Sequence, residues 1–139
     1  MNSLEVLSPF EPPHMDTVTG LAIVGDRMVS GSKDKNLRLW NLDHSVGNLK
    51  STTHAFNDYV TTVKSTYNTR IDDRCYPMFY AGSKDGQIKV GQIKNDRIIF
   101  NTGILAHTQS VNAISSLEDN CMIATASSDK TIKVWKPSQ

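Results

Sequence analysis

Short alternating runs separated by polar turns dominate the chain from residue 18 onward. Residues 18–24 (VTGLAIV) form a mostly apolar run closed by Gly25-Asp26, which predicts a buried strand and a turn. Residues 28–32 predict a second strand, Lys33-Asp34-Lys35-Asn36 a turn, and residues 37–42 a third strand. In that strand Leu37 and Leu39 share one face and Arg38 and Trp40 the other, the period of two expected of β structure. Residues 48–52 fit a weaker strand. A second group of strands is expected over 60–65, 78–83, 87–93 and 97–105, turning at Asp85-Gly86 and Lys94-Asn95-Asp96. A third group covers 111–117, 122–127 and 131–136. Ahead of them all, residues 4–7 alternate as one short strand, which Pro9, Pro12 and Pro13 then stop.

The groups are copies of one unit. ATASSDKTIKVW at 124–135 recurs as VSGSKDKNLRLW at 29–40 and, worn, as YAGSKDGQIKVG at 80–91. The turn residues Asp34, Asp85 and Asp129 lie 51 and 44 residues apart. A polar insertion at 68–77 (NTRIDDRCYP), read as a loop too long for a tight hairpin, accounts for much of the excess length. Long loops lean towards binding roles; surface slack is the plainer alternative.

Three features together carry a family resemblance: a His four residues before a Val, a Ser-x-Asp turn, and a Trp six residues after that Asp. His14/Val18/Asp34/Trp40 and His107/Val111/Asp129/Trp135 meet all three. The chain resembles the WD40 repeat family, which implies an all-β, partial β-propeller of three four-stranded blades. The expected organisation is an N-terminal strand and Pro-rich loop at 1–13 and repeats at 14–53, 54–106 and 107–139. The resemblance also implies a structural hydrogen-bond chain in each blade: His14, Ser30, Asp34 and Trp40 in the first, and His107, Thr125, Asp129 and Trp135 in the third. The second repeat departs, with Ala81 and Gly91 where a hydroxyl and a Trp belong. His54 stands six residues before Val60, which leaves His54 and Asp85 as a degenerate set. Loss of the Trp side chain predicts the least rigid blade here. More narrowly, residues 12–34, SVNAI at 110–114 and TASSDKTIKVW at 125–135 are similar to the last propeller blades of kinesin-4-type kinesin-like proteins. The sequence holds no phosphate-binding G-x-x-x-x-G-K-[ST] loop, so no motor ATPase of its own is expected.

Propellers close with four to eight blades, and three are too few. The expected partners are therefore further propeller blades or a second copy of the chain. The strand at 4–7, from the same ring or from a partner, would complete the last blade.

Composition narrows the function classes. A net charge of +1 gives no field that points to nucleic acid or a membrane. Cys75 and Cys121 are far apart and form no CxxC, so neither zinc nor a disulfide framework follows. The N-terminus carries no signal-peptide pattern, and a cytoplasmic, cytoskeleton-associated location is the expectation. No cofactor or metal is expected, and His14, His54 and His107 recur once per blade instead of converging. A Ser30/His14/Asp34 hydrolase triad is disfavoured, because Ser30 is on no G-x-S-x-G elbow and the set repeats at Thr125/His107/Asp129. The family resemblance then implies a non-enzymatic scaffold for other proteins, with a substrate-recognition subunit of a larger complex as the alternative. The candidate binding rim is Lys33, Lys35, Lys84 and Lys130 with Met15, Phe56 and Tyr59, suited to an acidic peptide or a microtubule surface.

Overall fold

The structure, a computed structural model, describes residues 3–5, 10–42, 48–71, 74–117 and 122–136. The alternating runs fold into three antiparallel sheets. The first takes β1 (Val18–Val24), β2 (Arg27–Ser32), β3 (Asn36–Asn41) and β4 (Asn48–His54) in chain order. The second takes β5 (Val60–Ile71), β6 (Arg74–Ser83), β7 (Gln87–Lys94) and β8 (Arg97–Leu105), again in order. The third has β9 (Val111–Leu117), β10 (Met122–Ser127) and β11 (Ile132–Trp135). These are the blades of a partial propeller. No helix is long and apolar enough to cross a membrane among the described residues.

The blades stack face to face, with β5 against β1 on one side and β9 on the other. Leu37 and Leu39 of the first blade are buried in one cluster with Val60 and Val63 of the second. The joint repeats one blade on, where Ile88 packs with Val111 and Ile114. Gly31 sits in the first joint because a Cβ there would come within 2.5 Å of Val60 Cγ1. Thr19 and Thr61 add a polar stitch at each joint, donating from Oγ1 to the Val60 and Val111 carbonyls. On the opposite edge Arg27 pairs with Asp96 of the second blade at 3.0 Å.

At the ends of the stack the same positions are open. Val18 and Leu21, which correspond to Val60 and Val63, are 50% and 59% exposed. Ile132 and Val134, which correspond to Leu37 and Leu39, are 78% and 62% exposed. Burying each such side chain is worth about 1.5–3 kcal/mol, so two faces of one chemistry stand uncovered.

Several expectations need correction. The insertion at 68–77, expected as a loop, is strand at residues 68–71 and 74–77, with residues 72 and 73 outside the described residues. Its backbone extends the β5–β6 hairpin, pairing Thr69 with Tyr76, Arg70 with Cys75 and Ile71 with Arg74. Successive cross-strand hydrogen bonds satisfy the backbone better than an open loop does. The same pairing puts Cys75 in a strand, while Cys121 lies outside the described residues. The strand expected at 4–7 does not form at Leu4 and Glu5, and Leu4 is exposed; Val6 and Leu7 lie outside the described residues. A strand needs a partner edge, and β11, the edge this segment was to close, belongs to the blade farthest from it along the stack. The third blade accordingly has three strands, not four, among the described residues.

The second blade is not hollow at Gly91. Phe79 stands directly opposite it in the β6–β7 ladder, and a Cβ on Gly91 would lie 2.4 Å from Phe79 Cζ. In the other blades the opposing pairs are Met28 with Trp40 and Ile123 with Trp135. The aromatic bulk has moved from the third strand to the second, and Phe79 is fully buried. Gly91→Trp alone should therefore overpack and lower stability by about 1–3 kcal/mol. Combining it with Phe79→Met, the pairing of the first blade, should recover part of that loss. Urea unfolding of the two variants checks this; a double variant no more stable than Gly91→Trp would refute the exchange.

Candidate functional site

In the first and third blades the turn between the second and third strands carries a carboxylate that reaches back to a residue preceding the inner strand. In the first blade His14 Nδ1–H donates to Asp34 Oδ2 at 2.8 Å, and His14 Nε2 is hydrogen-bonded to Ser30 Oγ at 2.6 Å. Trp40 Nε1–H donates to Ser30 Oγ at 2.8 Å. One hydroxyl thus joins the imidazole to the indole. In the third blade His107 bridges Asp129 Oδ2 at 2.9 Å and Thr125 Oγ1 at 2.7 Å, and Trp135 Nε1–H donates to Thr125 Oγ1 at 2.9 Å. Both imidazoles and both hydroxyls are buried.

The carboxylates also hold the turn. Asp34 Oδ1 accepts from Asn36 N–H, and Asp129 Oδ1 from Thr131 N–H and Oγ1–H. Burial would raise the Asp34 carboxyl, but the hydrogen bonds from His14 and the Asn36 and Met15 amides outweigh it and hold the group below its ordinary range. Asp129 is held well below that range, first by Thr131 and, against burial, by His107 and the Thr131 and Thr108 amides. The residue after each Asp takes a left-handed conformation, at Lys35 (φ 73°), Gly86 (φ 89°) and Lys130 (φ 73°).

The second blade does not bring His54 and Asp85 together. His54 ends β4, is exposed and pairs through its backbone with Asn36. Asp85 accepts instead from Ser83 Oγ and from Gln87 N–H at 3.3 Å. The residue in the imidazole's place is Phe56. Ala55 and Phe56 amides bind the Lys35 carbonyl as those of Ala106 and His107 bind the Gly86 carbonyl. Phe56 is 2% exposed, so it is a core residue and not a rim contact. Its spacing of four residues to Val60 was visible in the sequence, but a search for histidine passes over it. With Ala81 in place of the hydroxyl, the blade has exchanged a polar chain for an apolar one, which leaves no orphaned donor.

A second repeated contact escaped the sequence reading. Arg38 Nη1 donates to the Pro12 and Pro13 carbonyls, Lys89 Nζ to that of Ala55, and Lys133 Nζ to that of Ala106 at 2.7 Å. Each cation sits two residues before the Trp or Gly position and clamps the segment just ahead of His14, Phe56 or His107. Lys89 also lies over the Phe56 and Phe100 rings at 5.1 and 5.0 Å. Phe10 packs edge-on to Trp40 at 5.5 Å.

The other rim candidates are exposed: Lys33, Lys35, Lys84, Lys130 and Met15, with Tyr59 half-buried. Lys33 and Lys84 gather over Tyr59, whereas Lys35 and Lys130 occupy the left-handed turn positions. Among the described residues, no group of three or more His, Cys, Asp or Glu side chains could hold a metal.

Because both carboxyls titrate lower in the folded chain than in the unfolded one, their stabilisation is present above the ordinary carboxylate range. It is lost as the pH falls through their folded values. Asp34→Asn should cost about 1–3 kcal/mol at neutral pH and shallow the acid limb of the stability profile. Asp129→Asn should change that limb in the same direction. Urea midpoints measured from pH 7 down to pH 2 check both; an unaltered acid limb would refute the assignment.

The family described as WD domain, G-beta repeat matches residues 6–41 and 100–136. The unmatched stretch between them contains Phe56, Ala81 and Gly91. The chain is 29% identical over 137 residues to human kinesin-like protein KIF21A, covering 96% of this chain and 8% of that protein. It is 35% identical over 126 residues to human kinesin-like protein KIF21B, covering 91% and 7%. WD repeat-containing protein pop2 of Schizosaccharomyces pombe is 23% identical over 155 residues, covering 90% and 21%. The chain thus spans less than a tenth of the length of the kinesin-like relatives. Repeated blades, a hydrogen-bonded His/Asp/Ser-or-Thr/Trp set and the family match agree: this chain belongs to the WD40 repeat family.

Proposed function

We propose that the chain is a non-enzymatic protein-interaction scaffold, the tail portion of a kinesin-like motor, that contacts microtubules, regulators or cargo from its rim. WD40 domains are generally non-catalytic platforms for other proteins, and the kinesin-like relatives favour this member of the class. The observation that carries the reading is the burial of its reactive-looking groups. Ser30 Oγ is buried and shared between His14 and Trp40, with no approach for a substrate, while the lysines of the turns face solvent. The hydrogen-bond sets brace the blades. A cytoplasmic, cytoskeletal setting fits this role.

The chain works as part of a larger ring. Its open faces, Val18/Leu21 and Ile132/Val134, have the chemistry of the two joints already formed inside it. A further blade, or a second copy head to tail, would bury them. Light scattering of the isolated chain should show self-association that Leu21→Glu or Val134→Glu abolishes; a monodisperse monomer would refute the second-copy arrangement. A fluorophosphonate probe should leave Ser30 unlabelled, and labelling would overturn the non-enzymatic reading.

A further inference from the structure

Tyr59 sits in the loop entering β5, half-buried at the joint between the first two blades. A lysine reaches its ring from each blade. Lys33 Nζ, from the turn after β2, lies 5.7 Å from the ring centroid, and Lys84 Nζ, from the turn after β6, lies 5.0 Å away. Backbone hydrogen bonds fix both turns, from Lys33 N–H to the Thr17 carbonyl and from Lys84 N–H to the Tyr59 carbonyl, each 2.9 Å. At the next joint the corresponding residues are Ser110 and Ser128, joined by the same bond at 3.1 Å. Among the described residues, serines stand there in place of the ring and of the second cation, so the cluster is not repeated at that joint.

Among the described residues, neither ammonium group forms an ion pair. The pairs there are His14–Asp34, Arg27–Asp26, Arg27–Asp96 and His107–Asp129. The nearest carboxylates in sequence are occupied. Asp34 and Asp85 turn to their own blades, and Asp58 Oδ1 accepts from Tyr59 N–H at 2.8 Å. Two like charges held over one ring repel, and an anion between them relieves that repulsion.

We propose that Lys33, Lys84 and Tyr59 form a docking site for a carboxylate-rich segment of a partner protein. The ring supplies an apolar floor, and the two ammonium groups take acidic side chains. Carboxylates are favoured over phosphate because the site lacks an arginine fork and because the Lys33 and Lys84 amides are already bonded, leaving no backbone nest. This inference rests on the rim reading above and names its partner chemistry.

The test uses the 139-residue chain and a fluorescein-labelled glutamate-rich peptide, followed by anisotropy. Binding should weaken about tenfold in Lys33→Gln/Lys84→Gln, as expected when two exposed charge and ring contacts are removed. Its salt dependence should flatten. Tyr59→Phe should bind like the parent and Tyr59→Ala should weaken, with thermal unfolding as the folding control. Lys130→Gln, away from the ring, should bind like the parent. Equal losses in Lys130→Gln and the double variant would replace this site with a diffuse charge effect and leave the rim reading standing. A chain that binds no glutamate peptide would overturn the acidic partner itself. Tighter binding of a phosphoserine peptide of equal charge would overturn the choice of carboxylate.

Discussion

A propeller blade has two faces and can cover neither by itself. Everything else in this chain depends on that constraint. Leu37 and Leu39 are buried because Val60 and Val63 lie across from them, and the arrangement recurs at Ile88, Val111 and Ile114. The hydrogen-bonded sets act inside that frame. They hold the turn, the third strand and the entry segment of a blade in one geometry, so that its faces meet the neighbouring blades in register. Buried hydroxyl, imidazole and carboxylate groups are safe there only because each has its partner.

The second blade shows that the frame outranks the chemistry used to build it. Phe56, Ala81, Phe79 and Gly91 replace imidazole, hydroxyl, aliphatic residue and indole, and the sheet still has four paired strands in order. The clamp from the third strand survives the exchange, with Lys89 on the Ala55 carbonyl as Lys133 is on that of Ala106. What the blade keeps in common with its neighbours is the inter-blade surface and the cationic clamp, not the polar chain.

Strand positions and turns were legible in the sequence because period-two runs and Asp-centred turns are local signals. The first and third hydrogen-bond sets were expected only through the family resemblance that the His, Asp and Trp spacing carries. Phe56 was misjudged because an exposed aromatic anchor and a buried replacement for histidine look alike until the Lys35 carbonyl is seen to bind both amides. Phe79 was missed because compensation for Gly91 comes from across the ladder, 12 residues back along the chain. The strand pairing at 69–71 and 74–76 was not legible because polar composition hides backbone pairing. The clustering of Lys33 and Lys84 on Tyr59 joins residues of different repeats, which no single-repeat pattern can display.

The uncovered faces of the first and third blades give the chain a direction. One end offers what the other end accepts, so contacts between such units are heterologous, and a two-fold face-to-face pair of either end would match like with like. Were such units to add head to tail, the rotation from one unit to the next would decide the outcome. If the rotation divides the full turn, the assembly is a finite ring with no free face. If it does not, the same contact extends without limit as a helical filament. In such an assembly the angle between blades at each joint would therefore also select the symmetry.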